Sequence, residues 1–182
     1  MPRFGIVVEG PCDELVLKEL LPKCLGANCE IETRAWGTNG GVTRKFCNSL
    51  NEFKYLSIDK AFVVRDSDGK DPSVLIANMQ GRMGNRQYPF PVNLIVIVQE
   101  LEAWLLADEG AIAAVTSRPV PRQPDPIEAI ASPKERLKRI LSPSVVYTRE
   151  VARSIAAAIV DIGRVADRCP VSKTFWHLVS DC

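Results

Sequence analysis

Three apolar runs in this chain end in acid. Phe62-Val63-Val64 leads through Arg65 into Asp66-Ser67-Asp68-Gly69. Phe4-Gly5-Ile6-Val7-Val8 leads into Glu9-Gly10, and Val92-Asn93-Leu94-Ile95-Val96-Ile97-Val98 into Gln99-Glu100-Leu101-Glu102. Short apolar runs bounded by turn residues read as buried strands of a parallel sheet. Ligands of open α/β sheets bind just past the carboxyl ends of such strands. Carboxylates gathered there repel one another unless a cation neutralises them, and hard oxygen donors favour Mg2+ or Mn2+. Taken alone, Asp66-Ser67-Asp68-Gly69 is also ordinary turn chemistry, and Asp13 and Glu14 suit the first turn of a helix by complementing its dipole. Neither reading accounts for Glu9, which precedes Gly10 at the end of its strand.

The elements that must position these acids follow from periodicity and punctuation. Pro11 opens a helix running to about Cys24, with Leu17, Leu20, Leu21 and Cys24 on one face, and Pro22 is expected to end or distort it. Cys29 to Trp36 alternates as a second, more exposed strand. Gly37 to Gly41 is a turn without the Walker pattern, after which Val42, Phe46, Leu50 and Phe53 trace one helical face. Pro72 to Met79 predicts a helix, Gly81 to Pro91 a polar loop, and Gln99 to Asp108 a helical segment. Residues 118–126 hold four prolines and predict a linker. Ser132-Pro133-Lys134-Glu135 reads as a capping box that starts a basic helix to Leu141. One long apolar helix is expected over Val151 to Val165 and a short one over Cys169 to Val179. The fold class is therefore α/β, a mainly parallel sheet flanked by helices, with an α/β domain over 1–117 and a helical C-terminal extension over 118–182.

Bulk properties narrow the function classes. The 182 residues fit one domain, and 46% hydrophobic content suffices for a core. No apolar run approaches the ~20 residues of a membrane span, and Met1-Pro2-Arg3-Phe4 lacks a signal-peptide layout, so a cytoplasmic protein is expected. Six cysteines without a C-x-x-C pair and a single histidine, His177, argue against structural zinc. Net charge is +1; residues 1–108 hold 12 basic and 14 acidic residues and 109–182 hold 11 and 8. That asymmetry permits contact with a polyanion without demanding it.

With these residues in place, a resemblance appears. Val8-Glu9-Gly10-Pro11-Cys12-Asp13-Glu14 followed by Asp66-Ser67-Asp68 resembles the TOPRIM domain of topoisomerases, primases and overcoming-lysogenization-defect (OLD) nucleases. Gln99 to Leu106 is similar to the acidic helix start of the OLD branch. The chain most resembles stand-alone TOPRIM-like proteins of uncharacterised function, with motifs over about residues 4–108 and further likeness at Lys134 and at Pro170 to Phe175. The resemblance implies metal-dependent phosphodiester chemistry. Glu9 would be the acid/base or first metal-site carboxylate, Asp66 and Asp68 would hold Mg2+ (or Mn2+), and Glu102 with Glu100 would complete a second metal site. Asp13 would be an auxiliary ligand and Lys134 a phosphate or transition-state contact.

The chain departs from that pattern in part. No tyrosine, Tyr147 included, stands in a recognisable topoisomerase setting, and zinc-ribbon, helicase and P-loop parts are missing. Energy coupling would need a partner ATPase. The expected function is thus a TOPRIM-type nuclease or phosphotransferase acting on DNA or RNA. The alternative is a non-catalytic metal- or nucleic-acid-binding subunit that partners an ATPase in defence or repair. A homodimer is among the expected assemblies. A receiver-like acidic pocket fits less well, because it wants paired acids after the first strand and a lysine after the last.

Overall fold

Alternating strand and helix is what the chain adopts. The computed structural model describes residues 1–25, 29–36 and 41–181, and of residues 41–44 the backbone alone. Four parallel strands, β1 (Arg3–Val8), β2 (Glu30–Ala35), β3 (Lys60–Asp66) and β4 (Val92–Ile97), lie in the order β2-β1-β3-β4. Helices α1 (Pro11–Leu25), α2 (Gly41–Phe53) and α3 (Pro72–Met83) connect them. After β4 come α4 (Glu102–Leu106), α5 (Glu109–Thr116), α6 (Pro133–Leu141), α7 (Arg149–Ala158), α8 (Ile162–Arg168) and α9 (Pro170–Ser180). The central strands β1 and β3 are apolar and buried, as a sheet covered on both faces requires. The edge strand β2 instead alternates charge through Glu30, Glu32 and Arg34, which discourages pairing with another chain.

The two-residue period of the strands divides the core. Phe4, Ile6, Val8, Phe62, Val64, Ile95 and Ile97 face α1 and the C-terminal helices. Val7, Ala61, Val63 and Val96 face α2 and α3, with Phe46, Leu50, Phe53, Leu75 and Met79 above them. On the first face an aromatic cluster joins sheet to extension: Phe62 meets Phe175 edge-on at 5.2 Å, and Trp104 lies 5.6 Å from Phe175 and 5.3 Å from Trp176.

Basic side chains hold the ends of the C-terminal helices. Lys23 Nζ donates to the carbonyls of Ala156 and Ala157 at 2.7 Å and also to Ile159, at the end of α7. Lys60 Nζ reaches Leu178 and Asp181 at the end of α9, at 2.8 and 2.7 Å. Arg118 does the same for Ile140 and Ser142 at the end of α6. Each satisfies carbonyls that a helix leaves unpaired and opposes the negative end of its dipole, worth about 0.3–1 kcal/mol at exposed positions.

Several boundaries differ from the sequence expectation. Pro22 does not end α1, which runs to Leu25; Leu20 and Leu21 are fully buried there, and Lys23 is tied to α7. α3 continues through Gly81 to Met83, so the polar loop is shorter than expected. The helical segment after β4 breaks at Asp108, whose side chain accepts from Ala111 N and caps α5. The expected long helix over 151–165 is two, because Asp161 caps α8 through Gly163 N. The turn at Gly37 to Gly40 and the Val42 side chain lie outside the described residues.

Gly5 sits where only a glycine fits. A Cβ there would stand 2.5 Å from the ring of Phe53, which is fully buried between α2 and the sheet. Gly5→Ala is expected to cost about 1–3 kcal/mol by overpacking. Combining it with Phe53→Leu should recover part of that loss in urea denaturation. Strictly additive costs would show that the two positions are not in conflict.

Candidate functional site

The strand ends converge as a parallel sheet dictates. Asp66 is the last residue of β3 and pairs in register with Ile97 of β4. Beyond them the two loops are clasped. Ser67 N donates to Ile97 O at 2.9 Å, Gln99 N to Ser67 Oγ at 2.7 Å, and Asp68 N to Gln99 O at 3.1 Å. Asp68, Gly69 and Gln99 take left-handed backbone conformations (φ 49°, 76° and 63°) to make this turn. That is a conformation Asp tolerates and Gly adopts freely. On the other side of β3, Glu9 and Gly10 join β1 to α1, and Asp13 Oδ2 accepts from Gly10 N at 2.8 Å.

The result is a cleft of about 680 Å3 into which Glu9, Asp13, Asp66, Asp68 and Glu100 bring their carboxyl groups. Lys70, Lys134 and the buried Arg65 share its lining, and Arg65 Nη2 lies 3.6 Å from Glu9 Oε1. Burial together with Asp13, Glu102, Glu9 and Asp68 drives the Asp66 carboxyl up to about 9. Burial, reinforced by Glu102 and Glu9 and opposed by the Gly10 amide, raises Asp13 to about 6. Burial also raises Glu9 and Glu100. Four acids leaning toward their protonated forms are the mark of a negative site short of counter-charge. Among the described residues, no three His, Cys, Asp or Glu side chains are already gathered as a metal-ligand set. Three of the carboxylates have protein partners instead: Asp13 has Gly10 N, Glu9 has Arg65, and Glu100 has Lys134 N.

Glu102 stands apart from that lining. It is 5% exposed at the start of α4. Its Oε1 accepts from Tyr147 OH at 2.5 Å and lies 3.5 Å from Lys134 Nζ. Tyr147 OH also meets Cys12 Sγ at 3.4 Å, and Lys134 Nζ lies 5.7 Å from the centre of the Tyr147 ring. Burial tends to lower the Lys134 ammonium, but Glu102 outweighs it and raises the group. Burial and the Glu102 charge push the Tyr147 phenol far up, so it serves as a donor.

The structure therefore brings Glu9, Asp13, Asp66, Asp68, Glu100 and Lys134 to one cleft and places Glu102 just behind it. The capping box read at Ser132 does not form. Ser132 makes no side-chain cap, and Glu100 Oε2 accepts from Lys134 N at 2.9 Å in its place. Besides Glu135 in its own first turn, the start of α6 thus receives negative charge from Glu100, in the loop after β4 and 34 residues away in the chain. Lys70 and Tyr147 were not singled out as site residues. Lys70 follows the Asp66–Gly69 turn directly and was legible as such, whereas nothing local to Tyr147 marks it. His177 is exposed on α9, outside the cleft lining.

Two outcomes follow from this geometry. Because the folded pKa of Asp66 lies above its ordinary 3.8, the folded chain keeps a proton that the unfolded chain has released between those values. The metal-free chain is thus favoured by this group below about pH 4 and loses that contribution as pH rises toward 9. Asp66→Asn removes the slope. With chelator present, its stability advantage over wild type in urea should grow from near zero at pH 4 to roughly 2 kcal/mol or more at pH 8.5. A pH-independent gap would refute the shift. Tyr147→Phe, which deprives the buried Glu102 of a donor, should lower stability by about 1–3 kcal/mol, and an unchanged urea midpoint would count against the bond.

Searches of curated proteins and of solved structures each returned no match. A family model described as a domain of unknown function (DUF4276) matches residues 8–179, a span that contains every residue of the cleft, and the chain belongs to that family.

Proposed function

We propose that the chain is a TOPRIM-like, divalent-metal-dependent enzyme that cleaves or transfers phosphodiesters of DNA or RNA. The observation that carries this reading is the cleft at the carboxyl edge of the sheet. Five carboxyl groups from three strand ends meet there, flanked by Lys70 and Lys134. The four-stranded parallel sheet is compatible with the TOPRIM resemblance. The donor set suits Mg2+ or Mn2+, since all its members are hard oxygens and their raised carboxyls call for positive charge. Asp66 and Asp68 would hold the cation, with Glu9, Asp13 and Glu100 within the same lining. When bound, it would polarise the phosphate and lower the pKa of attacking water.

The chain's own side chains supply the rest. Lys70 and Lys134 line the same cleft and would offer ammonium groups to phosphate oxygens. Glu9, raised by burial and moderated by Arg65, would take a proton from the nucleophile. Glu102, backed by Tyr147, fixes the Lys134 ammonium. A second reading, a cation-binding subunit that works beside an ATPase without turning over itself, draws on the same cluster of carboxyl groups.

The deciding experiment measures Mg2+- and Mn2+-dependent cleavage of supercoiled plasmid, single-stranded DNA and RNA. Wild type is compared with Asp66→Ala and Glu9→Ala, with a chelator control. Cleavage reduced by about 100-fold or more in both variants, with folding intact, is expected. Equal activity in all three proteins would sink the assignment of the site. Cation-dependent thermal stabilisation without any turnover would favour the subunit.

A further inference from the structure

A net charge of +1 hides an uneven surface. Helices α2 and α3 pack beside each other on one face of the sheet, and Phe46, Leu50, Phe53, Leu75 and Met79 spend their inner sides on the core. Their outer sides and the turns after them carry Lys45, Lys54, Arg82 and Arg86, all exposed. Lys45 Nζ lies over the Trp36 ring at 5.4 Å and Lys54 Nζ over the Tyr88 ring at 4.9 Å. Arg86 Nη1 donates to the Arg82 and Met83 carbonyls at 2.5 and 3.1 Å. Cys47 Sγ meets Arg82 O at 3.8 Å, which, with the Lys54–Tyr88 contact, brings the cations of both helices onto one surface.

Acids do not interrupt that surface. Residues 37–51 and 72–99 contain neither Asp nor Glu. The acids that flank them are engaged elsewhere: Glu52 and Glu32 approach Arg34 at 2.8 and 3.9 Å, Asp59 accepts from Arg3 N at 2.7 Å, and Asp71 caps α3 through Ser73 N. Bases without an acid partner occur on the C-terminal helices too, but among acids. Arg139 of α6 stands one turn after Glu135, and Lys173 of α9 shares a depression with Asp167. Between the α2 and α3 cations the exposed polar residues are instead carboxamides, among them Asn48, Asn51, Asn85 and Gln87.

We propose that the α2–α3 face is a second, non-catalytic surface that holds the phosphate backbone of a nucleic acid. Lysine, arginine, asparagine, glutamine and tyrosine are the side chains that engage phosphate and sugar oxygens, and a basic face free of acids is the electrostatic footprint of a polyanion site. A membrane surface fits less well, because a helix lying in it needs an outward apolar face, and α2 and α3 have turned theirs to the sheet. The choice of a nucleic acid over an acidic protein rests on the phosphodiester reading above. The face begins at the edge that reading uses: Trp36, under Lys45, donates its backbone N–H to Val8 O at 3.3 Å, one residue before Glu9.

Fluorescence anisotropy tests this with a labelled single strand and a labelled duplex, each of about 20 nucleotides, in excess chelator so that no cation bridges phosphate to the cleft. Four neutralised phosphates give a slope of log affinity against log salt of about −3 to −4 for the duplex and about −3 for the single strand. Duplex affinity should therefore fall about 100-fold between about 50 and 200 mM NaCl. Lys45→Ala/Lys54→Ala and Arg82→Ala/Arg86→Ala should each make the slope shallower by about two. Lys138→Ala/Arg149→Ala, which removes two bases paired with acids on other helices, should leave it unchanged.

Binding of either nucleic acid with this slope and these losses supports the proposal. No anisotropy change at the lowest salt, or binding that neither face variant weakens in circular-dichroism-verified folded protein, overturns it. So does tight binding of poly-glutamate or of phosphatidylserine vesicles without binding of nucleic acid, or a dimer that Lys45→Ala/Lys54→Ala dissolves. The metal-dependent cleavage assay with Asp66→Ala and Glu9→Ala is read separately, so loss of this face and loss of the phosphodiester reading are told apart.

Discussion

Carboxyl groups at the end of a parallel sheet repel, and much of this chain answers to that repulsion. Asp66 cannot be moved away, because the register of β3 on β4 fixes it opposite Ile97 and the buried Ser67 locks the following turn to Gln99. Asp13 is equally fixed by the Gly10 amide at the start of α1. What remains adjustable is charge. The metal-free fold relieves the crowding by holding protons on Asp66 and by supplying Arg65 to Glu9 and the α6 backbone to Glu100. Positive charge from outside would do the same work with less cost to the backbone.

The helices after β4 follow from the same edge. α6 begins where Glu100 ends, so the residue that closes the sheet also starts the wall opposite it. Lys23, Lys60 and Arg118, each from an earlier element, then hold the far ends of α7, α9 and α6. Arg168 of α8 reaches back to the Ala107 carbonyl at the end of α4 and to Glu109 of α5, both at 2.7 Å. These contacts are polar and directional, and the aromatic cluster of Phe62, Trp104, Phe175 and Trp176 supplies the apolar burial between them. The segment between α6 and α7 that carries Tyr147 is held by Arg118 at Ser142 and enters α7 through the Thr148 cap.

The part of the site legible in the sequence is the part set by local pattern. An apolar run followed by acid needs no knowledge of the rest of the chain, so Glu9, Asp66, Asp68 and Glu100 could be placed at one edge from periodicity and the parallel-sheet rule alone. Lys134 was legible only through resemblance and the start of a helix. Tyr147 was not legible, because its partners are 45 and 135 residues away and nothing beside it distinguishes a buried donor from a surface tyrosine. Ser132 misled for a related reason. A good local cap lost to Glu100, whose full charge binds a helix start more strongly than a hydroxyl does. The breaks at Asp108 and Asp161 were hidden by apolar composition that continues across them, although an Asp ahead of a helical run is itself a start signal.

Glu102 differs from its neighbour Glu100 in how its charge is met. The resemblance implies a second metal site at Glu102 and Glu100; in the fold α4 begins at Glu102, and its side chain meets Tyr147 and Lys134. A carboxylate that accepts from a phenol and sits beside an ammonium has its charge compensated within the protein and gains less from a cation than Asp66, whose backbone carbonyl accepts from Arg65 Nε but to whose carboxyl no described residue donates. The acids at this edge therefore differ in what they can offer. On the proposed reading, Asp66 and Asp68 are the groups with most to gain from a cation. Asp13, Glu9 and Glu100 must first give up an amide or a guanidinium. Glu102 serves best where it is, as the fixed negative charge that keeps Lys134 at the cleft.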